Sequence, residues 1–303
     1  MTTPRPRPLN AAVWFAIGAA GAIVGLLPWL VTGARLPLQN LGAGSVGDMP
    51  VALLPFSQYH LTSIVALLVV GSAVAGIAGR ALASRRPRHG ILSLTGGVLA
   101  VQFIAAVQAT LVTRALLEAS SRAALYTAAI VAVIVVSLLV GTLVLLLIAR
   151  APVPGAVIGL SLAALVSATW IGTAFRDLFL LAPYEVSQPV LTILRWIPAV
   201  LVGAAIAWGG FRTAGRVAAS VVSLAALWIG PAFFTAVSNA AGTRVLAAYP
   251  AEMIDYGVGV FFAALTIPDV VLPPLVVAAV VGVAGVAAGG LWRRRHAAVG
   301  VTP

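Results

Sequence analysis

Eight stretches of about 20 mostly apolar residues run through this chain, at roughly 11–32, 60–79, 90–112, 124–149, 155–175, 191–209, 217–238 and 269–291. A run of that length leaves its backbone little choice. Hydrocarbon offers no partner for a bare amide, so each run must close its hydrogen bonds internally as a helix. The expected fold is an all-α, polytopic transmembrane bundle of about eight spans, with residues 1–303 forming one integral membrane domain. Composition agrees: 61% of residues are hydrophobic, 8% carry charge, and the mean hydropathy is +1.10. A water-soluble globule is excluded by those values. Arg5 and Arg7 before the first run resemble the start of a signal peptide. The run is too long and lacks a small-residue cleavage site, so it reads as a retained anchor.

Orientation follows from the arginines, which supply all 18 basic residues. With the N-terminus in the cytoplasm, Arg5, Arg7, Arg80, Arg85, Arg86, Arg88, Arg150, Arg212, Arg216, Arg293, Arg294 and Arg295 lie inside. Only Arg35, Arg114, Arg122, Arg176, Arg195 and Arg244 lie outside, which is the asymmetry that the positive-inside rule demands. Both termini are then cytoplasmic. All seven acids (Asp48, Glu118, Asp177, Glu185, Glu252, Asp255 and Asp269) fall on the outer side, so polar chemistry is concentrated there. The all-arginine basic set is the habit of a GC-rich bacterial genome and points to the plasma membrane. The clusters at 83–90 and 291–296 suit an anionic inner leaflet, and topology explains them without nucleic acid.

Inner connections are short, as in a bundle of antiparallel neighbours. Among the outer segments, Arg114, Glu118 and Arg122 follow an i, i+4, i+8 spacing, which reads as span three continuing as a helix beyond the membrane. Residues 251–266 are too short to span and read either as an interfacial or re-entrant helix or as irregular structure. SLAAL recurs at 161–165 and 223–227, and WIGTAF from Trp170 is echoed by WIGPAF from Trp228. These echoes allow a parallel repeat of hairpins 155–216 and 217–296, an arrangement that transporters use around a site.

Most catalytic chemistry is excluded residue by residue. Without cysteine there is no thiolate ligand, disulfide or thiol nucleophile. His60, His89 and His296 are divided between the two sides with no paired spacing, so no metal is expected. GAGSVG at 42–47 matches a dinucleotide fingerprint by letter only; a loop between two membrane helices is not a strand-to-helix turn. Ser45, Asp48 and His60 share that loop, but Ala43 stands where a nucleophile elbow needs glycine. No cofactor is expected.

Two candidates remain. Gln102 is the one strongly polar residue near mid-bilayer, on a face with Thr95, Ala105, Ala106 and Ala109; an interhelical hydrogen bond is the simpler reading and a solute contact the sharper one. At the outer ends of spans five to eight, Arg176, Asp177, Glu185 and Arg195 flank one loop while Glu252 and Asp255 begin the next polar segment. Together they would line an outward vestibule, or else an interfacial belt with Tyr184, Trp196, Tyr249 and Tyr256. Arg195 is expected to enter its span by only a few residues and reach the interface. Small residues at Gly21/Gly25, Gly71/Ala75/Gly79 and Gly285/Gly289 mark close helix contacts. With no charge at a span centre and no catalytic constellation, the leading expectation is an accessory or scaffold component of an envelope or transport complex. It would contact membrane lipids, and a membrane-protein partner or a second copy. The alternative is a carrier or permease for a small or amphipathic solute; an envelope-lipid enzyme using the outer carboxylates ranks below both.

Overall fold

A computed structural model describes residues 9–36, 49–117, 119–243 and 245–299, and the side chains of 177, 178, 180, 247, 248 and 293–299 are outside that description. Among the described residues the chain is an all-α bundle, and eight helices are long and apolar enough to cross a membrane. They are built from α1 (Ala11–Val31), α2 (Leu61–Ala81), α3 (Gly90–Leu116), α4 (Ser121–Ala149), a broken helix comprising α5 (Val153–Leu165), α6 (Ser167–Ala174) and α7 (Arg176–Leu181), then α8 (Tyr184–Gly209), α9 (Ala214–Gly242), a shorter α10 (Pro250–Thr266) and α11 (Pro268–Val299). One end of the bundle gathers Arg80, Arg85, Arg86, Arg88, Arg150, Arg212 and Arg216. The opposite, acid-bearing end gathers Glu185, Glu252 and Asp255.

Glycine sets how α1 docks. A Cβ on Gly18 would collide with the Leu94 carbonyl oxygen of α3, and one on Gly97 with the Phe15 carbonyl oxygen of α1. On the other side Gly21 faces Ala75, and Gly25 faces Gly71 at 2.5 Å from its Cα to the added carbon. The small-residue spacing therefore does what it was expected to do: α1 lies backbone to backbone against both α2 and α3. Two arginines at the arginine-rich end also serve packing. Arg80 Nη1 donates to the Ile148 and Ala151 carbonyls at 2.7 and 3.0 Å, and Arg216 Nη1 donates to Gly209 at 3.0 Å. These are the orphan carbonyls of helix C-termini, which a cation satisfies well.

The core divides in two. One part joins α1–α4 with the α1–α2 connection around Trp29, Phe56, Leu67 and Ile134. The other joins α5, α8, α9 and α11 around Val157, Val202, Ile206 and Leu227. The seam between them runs between α2 and α8, floored by α5 and α6.

Four expectations need correction. Span three does not continue outward as a helix: α3 ends at Leu116 and Ser120 caps α4, its hydroxyl accepting the Ala123 amide at 3.1 Å. Arg114 and Arg122 thus belong to different helices, and Glu118 lies outside the described residues. Span five is not one continuous helix. It breaks at Val166, where Ser167 Oγ takes the Ala164 carbonyl at 2.6 Å, and again at Phe175. A hydroxyl competing for a helical carbonyl is a recognised source of bending. The third correction concerns the long outer connection. Residues 37–48, which include GAGSVG, Ser45 and Asp48, lie outside the described residues, yet 49–57 are not loose. Ala52, Leu54 and Phe56 are fully buried. The Trp29 indole donates to Ala52 O at 2.7 Å, and Gln108 pairs with both Val51 O and the Leu53 amide at 2.8 Å. Fourth, α8 begins at Tyr184 rather than near 191, which places Arg195 deeper than expected.

α10 runs back along α9. Gly257 packs against Ala240, and the Trp228 indole donates to Leu265 O at 3.1 Å. Trp228 lies midway along α9, fourteen residues from each end, so the tip of α10 reaches the middle of the bundle. Residues 251–266 are therefore helical rather than irregular, and packed against α9. The echoed segments sit on α5 and α9, which lie side by side and parallel, with Gly215 near Pro154 and Gly230 near Leu165. Ser161 and Ser223, the first residues of each SLAAL, are both buried without a hydrogen-bond partner. Trp170 and Trp228 both donate to a carbonyl of another helix, Gly25 O in the first case. The four extra residues of the first copy, 166–169, fall at the α5–α6 break.

Candidate functional site

At the acid-bearing end of the seam lies a cavity of about 530 Å³. Trp29 of α1 and His60 and Ser63 at the start of α2 form one wall. Thr169, Gly172 and Thr173 of α6 form the back, Arg176 and Phe179 the α7 side, and Leu191, Leu194 and Arg195 of α8 the opposite wall. The sequence places these groups for separate reasons. The helix breaks at Phe175, and Arg176, the first residue of α7, lines the cavity. His60 ends a single turn of tight helix that Ser57 caps, and its ring lies 6.3 Å from that of Trp29. Thr173 folds its hydroxyl back onto Thr169 O at 2.8 Å, leaving its methyl for the apolar lining.

Arg195 is the least expected member. It lies eleven residues from Tyr184 and fourteen from Gly209, about 16 Å along the α8 axis from its start. Its Nη2 donates to the Asp269 carbonyl at 3.1 Å, where α10 hands over to α11, and its guanidinium stands 5.4 Å from the Trp196 ring centre. Held this way by a backbone oxygen and an aromatic face, the cation keeps donors free. Among the described residues, neither Arg176 nor Arg195 has a carboxylate partner. Two guanidiniums thus line one largely apolar cavity, an arrangement with the chemistry to hold an anion. An Arg fork matches the oxygens of phosphate or carboxylate, and low surrounding dielectric strengthens the attraction.

The structure therefore divides the expected outer cluster. Arg176 and Arg195 meet at the cavity. Glu185 is exposed in the first turn of α8, and Glu252 and Asp255 are exposed on α10; none of these three lines the cavity. The reason is topological: α10 packs along α9, on the far side of the second half-bundle from the seam. Asp177 follows Arg176 on α7, with its side chain outside the described residues. Gln102 does not line the cavity either. It is 1% exposed, and its Nε2 donates to Leu68 O at 2.8 Å and Ser72 Oγ at 3.3 Å, tying α3 to α2. Its Oε1 has no partner.

Sequence reading missed Trp29, Thr169, Thr173 and Phe179 as cavity residues. They are ordinary membrane-helix residues, and only the meeting of α1, α2, α6, α7 and α8 makes them neighbours. Among the described residues no group of three His, Asp or Glu side chains is arranged to hold a metal ion. Comparison of the chain with known protein families, curated proteins and solved structures gave no match.

Proposed function

We propose that this chain is a bacterial plasma-membrane protein that binds an anionic amphipathic solute at its outer end, as the recognition step of a carrier or permease. The observation that carries this reading is the convergence of Arg176 and Arg195, without a carboxylate partner among the described residues, on one apolar-walled cavity. An ionisable group well inside a membrane helix costs several kcal/mol to keep there, so it is retained where it serves a function. Arg195, eleven residues into α8, is the candidate for such a group, whereas Gln102 carries no charge and its Nε2 is held by α2. In the proposed orientation the acid-bearing end faces outward, with both termini in the cytoplasm, as the arginine distribution requires.

The described lining holds no carboxylate, so nothing in it supports an acid–base role for Glu185, Glu252 or Asp255. The accessory or scaffold reading keeps one specific support. α10 buries none of its residues, and only 11% of the best apolar window of α11 is buried. Those faces meet lipid in a lone chain and would meet helices in a complex.

The test is equilibrium binding by the purified full-length protein of two water-soluble, short-chain phospholipids, one anionic and one zwitterionic. The proposal expects the anionic one to bind at least tenfold more tightly, with the preference falling as salt rises. Equal affinity for both would remove its basis.

A further inference from the structure

A second cavity, of about 360 Å³, continues the seam toward the arginine-rich end. It is apolar, walled by Val74 and Ile77 of α2, Ala163 of α5, and Ala204 and Trp208 of α8. Its upper edge is Ser167, and the next residue in the chain, Ala168, belongs to the cationic cavity. The two spaces thus lie next to each other along the chain, just past the break between α5 and α6, and both are walled by α2 and α8. Measured along α8, the combined groove runs from Leu191 to Trp208, about 25 Å. Its side is open to the surroundings of the bundle, since Ile77, Leu201 and Trp208 are each 43–52% exposed.

We infer that the occupant of this groove is an anionic phospholipid entering sideways from the bilayer, its phosphate between Arg176 and Arg195 and one acyl chain in the apolar cavity below. The inference rests on the anion-binding reading above and adds the ligand class, its orientation and its route. Charge complementarity selects the headgroup. Two guanidiniums on different helices, at different depths, suit a phosphate, whose oxygens diverge and engage both, better than a carboxylate, which one fork satisfies. The lower cavity selects a ligand with a chain: a small hydrophilic anion has no use for an apolar extension that is open to lipid. A hydrophobic partner helix has no use for two unpaired cations. The acyl chain exchanges one apolar setting for another, so affinity resides in the headgroup. The lower groove acts by admitting the chain without a clash.

The experiment uses the full-length protein in vesicles containing phosphatidylglycerol that carries a photoreactive group midway along one chain. After irradiation, labelled peptides are mapped by mass spectrometry, and soluble glycerol phosphate binding is measured in parallel. Label is expected on α2, α5 and α8 between residues 70–77, 160–167 and 201–208. Ala204→Trp, at an exposed wall position where added bulk disturbs no helix contact, should cut that labelling at least fivefold and leave glycerol phosphate binding within twofold. Val74→Trp, on the opposite wall, should do the same. Label spread equally over the outward surfaces of α4 and α9, or insensitive to both tryptophans, would overturn the lipid inference while leaving anion recognition standing. A second polypeptide crosslinked into the groove would overturn it equally. Loss of neither lipid label nor glycerol phosphate binding in the Arg176→Gln/Arg195→Gln double variant would instead remove the anion site on which the inference stands.

Discussion

Replacing Arg195 by glutamine removes one positive charge from the cavity and leaves a shorter side chain that still donates hydrogen bonds. Two effects follow, and the structure allows them to be separated. The first is on the fold: the donor to Asp269 O, at 3.1 Å, is shortened or lost, which costs about 1 kcal/mol where a backbone carbonyl loses a single partner. The second is on binding. A charge-assisted hydrogen bond contributes about 1.5–3 kcal/mol net, and each 1.4 kcal/mol is about tenfold in Kd, so anion affinity should fall about 10- to 150-fold. Arg176 lines the same cavity and is less exposed than Arg195, so Arg176→Gln should cost a similar amount, about 10- to 150-fold. Titration calorimetry with a short-chain anionic phospholipid gives the affinities, and thermal unfolding without ligand isolates the fold effect. An Arg195→Gln protein that binds as tightly as the parent would refute the reasoning, as would an Arg176→Gln protein that does so.

Other consequences are open to direct measurement. Gln102→Leu removes one interhelical donor but also an unpartnered buried oxygen, and Ser72 still donates to Leu68 O at 2.9 Å; stability should fall by less than about 1 kcal/mol and anion binding should be unchanged. Gly97→Val places two added methyl groups beyond a Cβ that already meets the Phe15 carbonyl, so α1 cannot stay docked; a loss of at least about 3 kcal/mol, or failure to accumulate, is expected in thermal unfolding and expression assays. Trp228→Phe deletes the hydrogen bond that holds the tip of α10, so amide exchange should rise over residues 260–267 and stay unchanged in α1–α4. Because the chain has no cysteine, single cysteines report sidedness cleanly: one at Ser120 should react with an impermeant thiol reagent from outside intact cells, and one at Ala151 only after lysis.

The spans were legible because the membrane simplifies the code. Apolar runs of the required length leave one backbone solution, and the ends of α1, α2 and α4 fall within about three residues of where hydropathy puts them. The glycine contacts of α1 were legible for the same reason: in hydrocarbon, close approach is bought with small residues, and Gly21, Gly25, Gly71 and Ala75 announce it. The start of α8 was hidden by its own composition. Ser187, Gln188, Pro189 and Thr192 lower the hydropathy there, so the apolar run begins at 191 although the helix begins at Tyr184. That shift is why Arg195 read as an interfacial residue. The packed segment at 49–57 left a weaker trace: Ala52 and residues 54–57 are all buried, but in a stretch too short to be scored as a strand or a span. The cavity itself had no linear signal. Arg176 and Arg195 were singled out with four acids, and only the packing of α10 on α9 shows which of the six belong together.

The account turns on whether this groove holds an anionic lipid. Native mass spectrometry of the full-length protein, released gently from membranes of mixed lipid composition, addresses that directly. The expected result is one anionic phospholipid retained per chain, lost when Arg176 and Arg195 are both changed to glutamine. A chain that emerges free of lipid, or retains zwitterionic lipid equally well, or carries a stoichiometric protein partner in place of lipid, would contradict it.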